Sequence, residues 1–315
     1  MFQLKRFVSL MVLLAVISVT NKASAVSLNG FNLEKIILPI EDIYQGGPDK
    51  DGIPAIDKPI FISADEMHLL NSDDMVLGIT NGTQSKAYPI RILNWHEVVN
   101  DFLGEIPTLI TYCPLCGSGM VFERTFDGQV LDFGVSGLLY NNDVLLFDRQ
   151  TDSLWSQIKK LAVTGPHQGL QFQALAVQHT TWARWQDNHP NTQVLSFDTG
   201  YLRQYSSNPY DGYEEISSTL FPVKFRSEGF HPKQRVVGIE VNGESKAWPF
   251  IELAKADQPV RDQVGGKEVI VHYDRDSQTA WIDDAQGKTL PSVTLFWFAW
   301  AAFHDNTSVY HYVSQ

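Results

Sequence analysis

The sequence contains very few cysteines and comparatively few basic residues. Only 2 of its 315 residues are Cys, and 24 Lys and Arg stand against 36 Asp and Glu, which gives a formal net charge of −12. With two cysteines a Cys₄ zinc site is impossible. Because the excess of acidic residues repels nucleic acid and anionic lipid, we expect neither as a partner.

Several signatures of known chemistry are also missing. The sequence has no Gly-rich phosphate loop, no H-E-x-x-H pair and no EF-hand loop. Beyond the first residues, the most apolar run extends only from Leu295 to Phe303. A span of the bilayer needs roughly 20 apolar residues. We therefore expect no stable membrane insertion.

The N-terminal residues have the pattern of a cleaved secretory signal. Lys5 and Arg6 precede an apolar stretch from Phe7 to Val19, and Ala23-Ser24-Ala25 follows. A basic start, a short apolar core and small residues two positions apart favour cleavage after Ala25. The sequence thus predicts a periplasmic or secreted protein.

Two pairs of segments repeat in the same order. Each strand-like run of the first pair is followed by an Asn-Gly turn and an S-K-A-aromatic-P run, which is a strong hairpin signal. A Trp-rich segment with a following His, Asn and Thr forms the second pair. The segments are Val76–Pro89 with Val236–Pro249, and Trp182–Val194 with Trp297–Val309.

These repeats predict an internal duplication. We expect an α+β fold, a mixed β-rich domain built from duplicated hairpin-plus-helix units, with one helix over Ile90–Leu103. The first copy carries the longer insertion and both cysteines, since Cys113 and Cys116 align with Asp274 and Ser277. The predicted division is a signal at 1–25, an N-terminal wrap at 26–75, a first repeat at 76–198, a connector at 199–235 and a degenerate second repeat at 236–315.

The clearest chemical motif is the Cys-x-x-Cys-Gly loop at Cys113 and Cys116, between two strand-like runs. Its shape is that of a thiolate metal knuckle, with the remaining ligands supplied by His or carboxylate, for Zn²⁺ or Cu(I). A thiol-disulfide exchange site is the first alternative, although Gly117 and Gly119 disfavour the helix that activates such a thiol. A binding or scaffold module with a structural disulfide is the second alternative.

His96 is the best candidate for a third ligand. Its spacing with Ile92, Val99 and Leu103 places it on the inward face of the expected helix, just before the cysteine strand. A histidine on an apolar face is more often a satisfied core residue. The two thiols downstream favour the metal site Cys113, Cys116 and His96.

With these segments in view, the sequence resembles a bacterial family known only as domain of unknown function 3179. The matching stretches include Trp95-His96-Glu97 and Thr111–Gly117. The others are Gly46–Pro48, Asp51–Pro54, Ala87–Pro89, Asn100-Asp101, Phe133–Gly137, Leu139-Tyr140, Asp148-Arg149, Ser153–Trp155 and Phe296–Trp300. The resemblance implies that His96 and the two cysteines belong to one signature, and it implies no reaction.

Overall fold

A computed structural model describes residues 26–224 and 229–314 of the chain. The predicted signal at 1–25 lies outside the described residues, so its cleavage and the extracytoplasmic location stay predictions. None of the helices in the described ranges is long and apolar enough to cross a membrane.

Short strands dominate the structure, and the helices are only one or two turns long. The helices are α1 (Ile90–His96), α2 (Trp182–Asn188), α3 (Phe250–Leu253) and α4 (Trp297–Phe303). The strands are β1 (Ser27–Leu28), β2 (Phe31–Asn32), β3 (Ile43–Gln45), β4 (Phe61–Ser63), β5 (Met75–Thr80), β6 (Ser85–Pro89), β7 (Val98–Leu103), β8 (Ile106–Cys113), β9 (Ser118–Glu123), β10 (Thr125–Phe126), β11 (Gln129–Val130), β12 (Phe133–Tyr140), β13 (Asp143–Asp148), β14 (Leu154–Ser156), β15 (Leu161–Ala162), β16 (Ala174–Leu175), β17 (Gln178–Thr181), β18 (Gln193–Leu195), β19 (Arg235–Val241), β20 (Glu244–Pro249), β21 (Val260–Val264), β22 (Lys267–Asp274), β23 (Thr279–Asp284), β24 (Val293–Phe296) and β25 (Ser308–Val309).

The predicted α+β class is wrong. Strands make up 40% of the structure and helices 11%, and the sheets form a five-bladed β-propeller arrangement. In strand order the blades are blade I (β17-β5-β6-β18-β4), blade II (β16-β9-β8-β7), blade III (β15-β14-β13-β12-β3), blade IV (β24-β19-β20-β25) and blade V (β21-β22-β23).

Part of this error comes from the segment Ile90–Leu103. We expected one helix there, but α1 ends at His96 because Glu97 adopts a left-handed backbone conformation, with φ 58°. The next residues, Val98 and Val99, are β-branched and favour a strand. They pair with Thr111 and Ile110 of β8. The spacing of apolar residues that predicted one long helix therefore belongs to a short helix followed by a buried strand.

The sequence repeat corresponds to equivalent blades. In blade I, Val76 pairs with Pro89, and in blade IV, Val236 pairs with Pro249 in the same antiparallel register. In each blade a further strand, β18 or β25, joins the hairpin in parallel. The hairpins that the Asn-Gly turns predict are thus confirmed, whereas the proposed division of the chain into segments stays a prediction.

The Trp-rich segments pack in the same way in both copies. Trp185 and Trp300 each lie against a glycine of the neighbouring hairpin, and a Cβ on Gly78 or Gly238 would come within 2.2 or 2.4 Å of the ring. Each indole N–H donates to a threonine, at 2.9 Å to Thr192 and 2.8 Å to Thr307. The glycines are needed for this close approach, which fixes the short helix on its blade.

Candidate functional site

The two cysteines lie at the turn between β8 and β9, in the interior of the protein. Cys113 is 1% exposed and Cys116 is fully buried, and both are free thiols. The Cys116 N–H donates to the Cys113 carbonyl at 3.2 Å, and Gly117 follows with φ 61°. That left-handed conformation suits glycine, so the Cys-x-x-Cys-Gly turn closes without strain and directs both thiols inward.

A second hairpin delivers a carboxyl group to the thiols. Asn141 and Asn142 form the turn between β12 and β13, both with positive φ, and Asp143 begins β13. The Cys113 thiol donates to the Asn142 carbonyl at 3.4 Å. One sulfur from each cysteine and one carboxylate oxygen of Asp143 lie within 4.8 Å of one another. The turn of blade III therefore completes a three-residue cluster on blade II.

The carboxyl group of Asp143 is buried and only half satisfied. Its Oδ2 accepts from the Ile158 N–H at 3.1 Å, whereas Oδ1 has no hydrogen-bond partner within the described ranges. Burial raises the pKa of Asp143 to about 8. A buried acceptor without a partner is costly. This oxygen is therefore available for a proton or a metal ion between the thiols.

Burial also affects the ionisation of Cys116. It raises the pKa of Cys116 well above its ordinary value, and the adjacent Cys113 thiol and Asp143 carboxyl act in the same direction. The thiolate form of Cys116 is thus disfavoured in the metal-free protein. A bound cation would reverse this preference, since metal coordination deprotonates a thiol.

Polar side chains under the turn fix its position. Ser118 Oγ donates to Gln157 Oε1 at 2.7 Å, and the Gln157 amide donates to Thr111 Oγ1 at 2.7 Å. The Phe296 N–H of blade IV donates to the Cys116 carbonyl at 2.8 Å. Three blades therefore hold the cysteine turn, which is the kind of support that a preorganised site requires.

The structure does not bring His96 into this cluster. Its Nδ1 lies 2.8 Å from the Pro54 carbonyl and its Nε2 lies 2.6 Å from the Tyr205 hydroxyl. Because a carbonyl only accepts, Nδ1 carries the proton and Nε2 accepts from Tyr205. Burial lowers the pKa of His96, which favours this neutral form. Both ring nitrogens are occupied, as in a satisfied core histidine, and Asp143 stands where we expected His96.

Glu97, the neighbour of His96, is the residue of this stretch that lies near Cys113. It lines a cavity of about 100 Å³ together with Cys113 and Tyr210. Burial and the Asp143 carboxyl raise the pKa of Glu97 to about 8. The sequence offered one signal for this residue, its position beside His96 in the W-H-E stretch. The signal for Asp143 was weaker, since only the Asn-Asn turn marked its surroundings.

Four segments that carry the family resemblance meet around this cavity. They are the Gly46–Pro48 loop with Ile53, the Trp95–Glu97 stretch, the cysteine turn and the part of β12 from Phe133 to Gly137 with Leu139. Other matching residues are structural. Asp148, for example, accepts from the Trp155 indole at 2.9 Å, and Arg149 pairs with Asp51 and Asp57.

These features define a β-propeller protein with a buried Cys-Cys-Asp cluster beside a small cavity. The profile of the family described as "Protein of unknown function (DUF3179)" matches residues 50–307, so the chain belongs to that family. Comparison with curated proteins and with solved structures found no match.

Proposed function

We propose that the protein binds one zinc-class metal ion through Cys113, Cys116 and Asp143. The observation that carries this proposal is the buried Asp143 Oδ1, which has no hydrogen-bond partner in the described chain and lies with the two thiols in one cluster. Two sulfurs bonded to a tetrahedral zinc at about 2.3 Å are roughly 3.8 Å apart. The observed spread of up to 4.8 Å requires only a small contraction.

The ligand set favours Zn²⁺ over Cu(I). Two thiolates suit either ion, but a carboxylate oxygen is a hard ligand that Cu(I) binds poorly. Three protein ligands also leave a fourth position of a tetrahedral zinc ion open, which is typical of reactive and ligand-binding sites. Because the cluster combines Asp143 with both cysteines, we assign zinc as the first ion to test and Cu(I) as the alternative.

The burial of both thiols argues against exchange with protein disulfides. An exchange enzyme presents one reactive sulfur of lowered pKa to its substrate. Here Cys113 is 1% exposed, Cys116 is fully buried and the pKa of Cys116 is raised. A metal ion can enter such a site as a small species, whereas a protein disulfide cannot reach the sulfurs without opening the turn.

A competition titration with a chromophoric zinc chelator tests the proposal on reduced protein. We expect one zinc ion per chain in the wild type, no competitive binding after Cys113→Ser and weakened binding after Asp143→Asn. Asp274→Asn is the matched control, because Asp274 occupies the corresponding turn of blade V, and it should bind as the wild type does. Circular dichroism establishes that each variant is folded. Wild-type protein that fails to compete, or equal affinity in all variants, would reject the metal site.

A further inference from the structure

The cavity beside the cysteine turn has room for a small molecule. Its volume is about 100 Å³, and Cys113 and Glu97 are both in its wall. Since an apolar cavity of about 150 Å³ holds benzene, which has six non-hydrogen atoms, this space corresponds to roughly four or five non-hydrogen atoms. The cavity therefore suits a very small ligand.

The wall of the cavity is apolar except at a few positions. Apart from Glu97, Cys113 and Tyr210, the side chains that line it are hydrocarbon, and none of the described lining residues is Lys, Arg or His. A carboxylate or phosphate would therefore enter without a basic partner, which is costly in a buried space. The composition of the wall favours an uncharged ligand.

Glu97 is the polar group best placed to hold such a ligand. It is only 6% exposed, and no hydrogen bond to its carboxyl group is found in the part of the chain that the structure describes. Its backbone has φ 58° at the end of α1, where glycine or asparagine is usual. A glutamate in that conformation places a carboxyl group in an otherwise apolar wall, where it can bond a ligand.

The backbone of Glu97 is also firmly positioned. Its N–H donates to the Leu93 carbonyl at 2.8 Å, and its carbonyl accepts from the Tyr112 N–H at 2.8 Å. Tyr112 directly precedes Cys113, so the carboxyl group and the thiol are held by the same strand pair. His96 binds the Pro54 carbonyl and thereby fixes the loop that contributes Ile53 to the wall of the cavity.

We propose that this cavity binds an uncharged molecule of about five or fewer non-hydrogen atoms that carries an amide group, with Glu97 as its hydrogen-bond partner. The amide N–H can donate to a carboxyl oxygen of Glu97 whether or not that carboxyl group is protonated. The ligand would lie next to the Cys-Cys-Asp cluster. The inference rests on the proposed function only where it assumes a metal ion beside the ligand. Glu97 and the cavity are part of the chain with or without that ion.

Fluoroacetamide and fluoroacetate make a matched pair of probes, because they have the same size and differ in charge. We would measure ¹⁹F line broadening and affinity for both probes with metal-free and zinc-treated protein. Wild-type protein should bind fluoroacetamide at least about tenfold more tightly than fluoroacetate, a difference of about 1.4 kcal/mol. Glu97→Gln keeps a donor and an acceptor and should retain binding, whereas Glu97→Leu should weaken it at least tenfold.

Glu97→Gln and Glu97→Leu place side chains of similar size at the same strained backbone position. A difference in binding between them therefore reports hydrogen bonding and not folding. Equal binding of fluoroacetamide to both variants, or tighter binding of fluoroacetate to the wild type, would overturn the inference. So would the absence of fluoroacetamide binding in both forms of the protein. Fluoroacetamide binding by protein that takes up no zinc would support the inference and overturn the proposed metal site alone.

Discussion

The cysteine turn of blade II and the corresponding turn of blade V have the same backbone and different chemistry. Cys113 pairs with Ser118, and Asp274 pairs with Thr279 in the same antiparallel register. The residue after the second ligand position has positive φ in both turns, 61° at Gly117 and 51° at Gln278. The geometry of the turn is thus common to both blades and does not by itself create a site.

The turn of blade V satisfies its own polar groups. Asp274 Oδ1 accepts from the backbone N–H groups of Asp276 and Ser277, at 3.0 and 3.1 Å, and Oδ2 pairs with Arg184 at 3.0 Å. In blade II the cysteines cannot replace these contacts, and the nearby Asp143 Oδ1 has no partner in the described residues. The Cys-Cys-Asp cluster therefore depends on two features, the two thiols of blade II and the inserted hairpin that carries Asp143.

The largest expected effect of the carboxyl groups near the blade II turn is on how the free energy of unfolding depends on pH. In metal-free protein, Asp143 and Glu97 have pKa values of about 8, against about 4 in an unfolded chain. Between these values the folded state binds more protons, so the free energy of unfolding falls as pH rises, by about 1.4 kcal/mol per pH unit for each group. Urea unfolding from pH 5 to 8 measures this loss.

The Asp143→Asn and Glu97→Gln double variant supplies the reference for that experiment. It lacks both carboxyl groups, so the difference in unfolding free energy between it and the wild type isolates their contribution from that of all other titratable groups. Parallel pH profiles for the two proteins would show that these carboxyl groups do not govern the pH dependence.

The shared scaffold should respond equally to mutation in both copies. Trp185→Ala and Trp300→Ala each remove a buried indole that packs on a glycine, and each should cost about 3–5 kcal/mol. Chemical denaturation measures both. His189→Ala and His304→Ala, which remove only the imidazole ring packed against each Trp, are milder controls. A loss several-fold larger in one blade would mean that the copies differ in packing.

The smallest effect is expected when the two cysteines are moved from blade II to the corresponding turn of blade V. Asp274→Cys with Ser277→Cys, in a chain without Cys113 and Cys116, should bind zinc at least about tenfold more weakly than the native site, or about 1.4 kcal/mol less. The reason is that no buried carboxyl oxygen without a partner lies beside that turn in the described residues. Zinc competition measures the affinity, and a transplanted site as tight as the native one would show that Asp143 is unnecessary.

The sequence predicted local features well and spatial neighbours poorly. The Asn-Gly hairpins and the cysteine turn both follow from residues close together in the chain. The propeller and the role of Asp143 depend on pairing between segments far apart, which local periodicity does not report. The inward position of His96 was correct, but the interior there contains Pro54 and Tyr205 instead of the thiols.

X-ray absorption at the zinc edge of the zinc-treated wild type tests the central claim most directly. If Cys113, Cys116 and Asp143 bind the ion, the spectrum will show two sulfur neighbours at about 2.3 Å and oxygen or nitrogen neighbours at about 2.0–2.2 Å. Asp143→Asn should leave the sulfurs and alter the oxygen shell. A shell without sulfur, or protein that retains no zinc, would contradict the account.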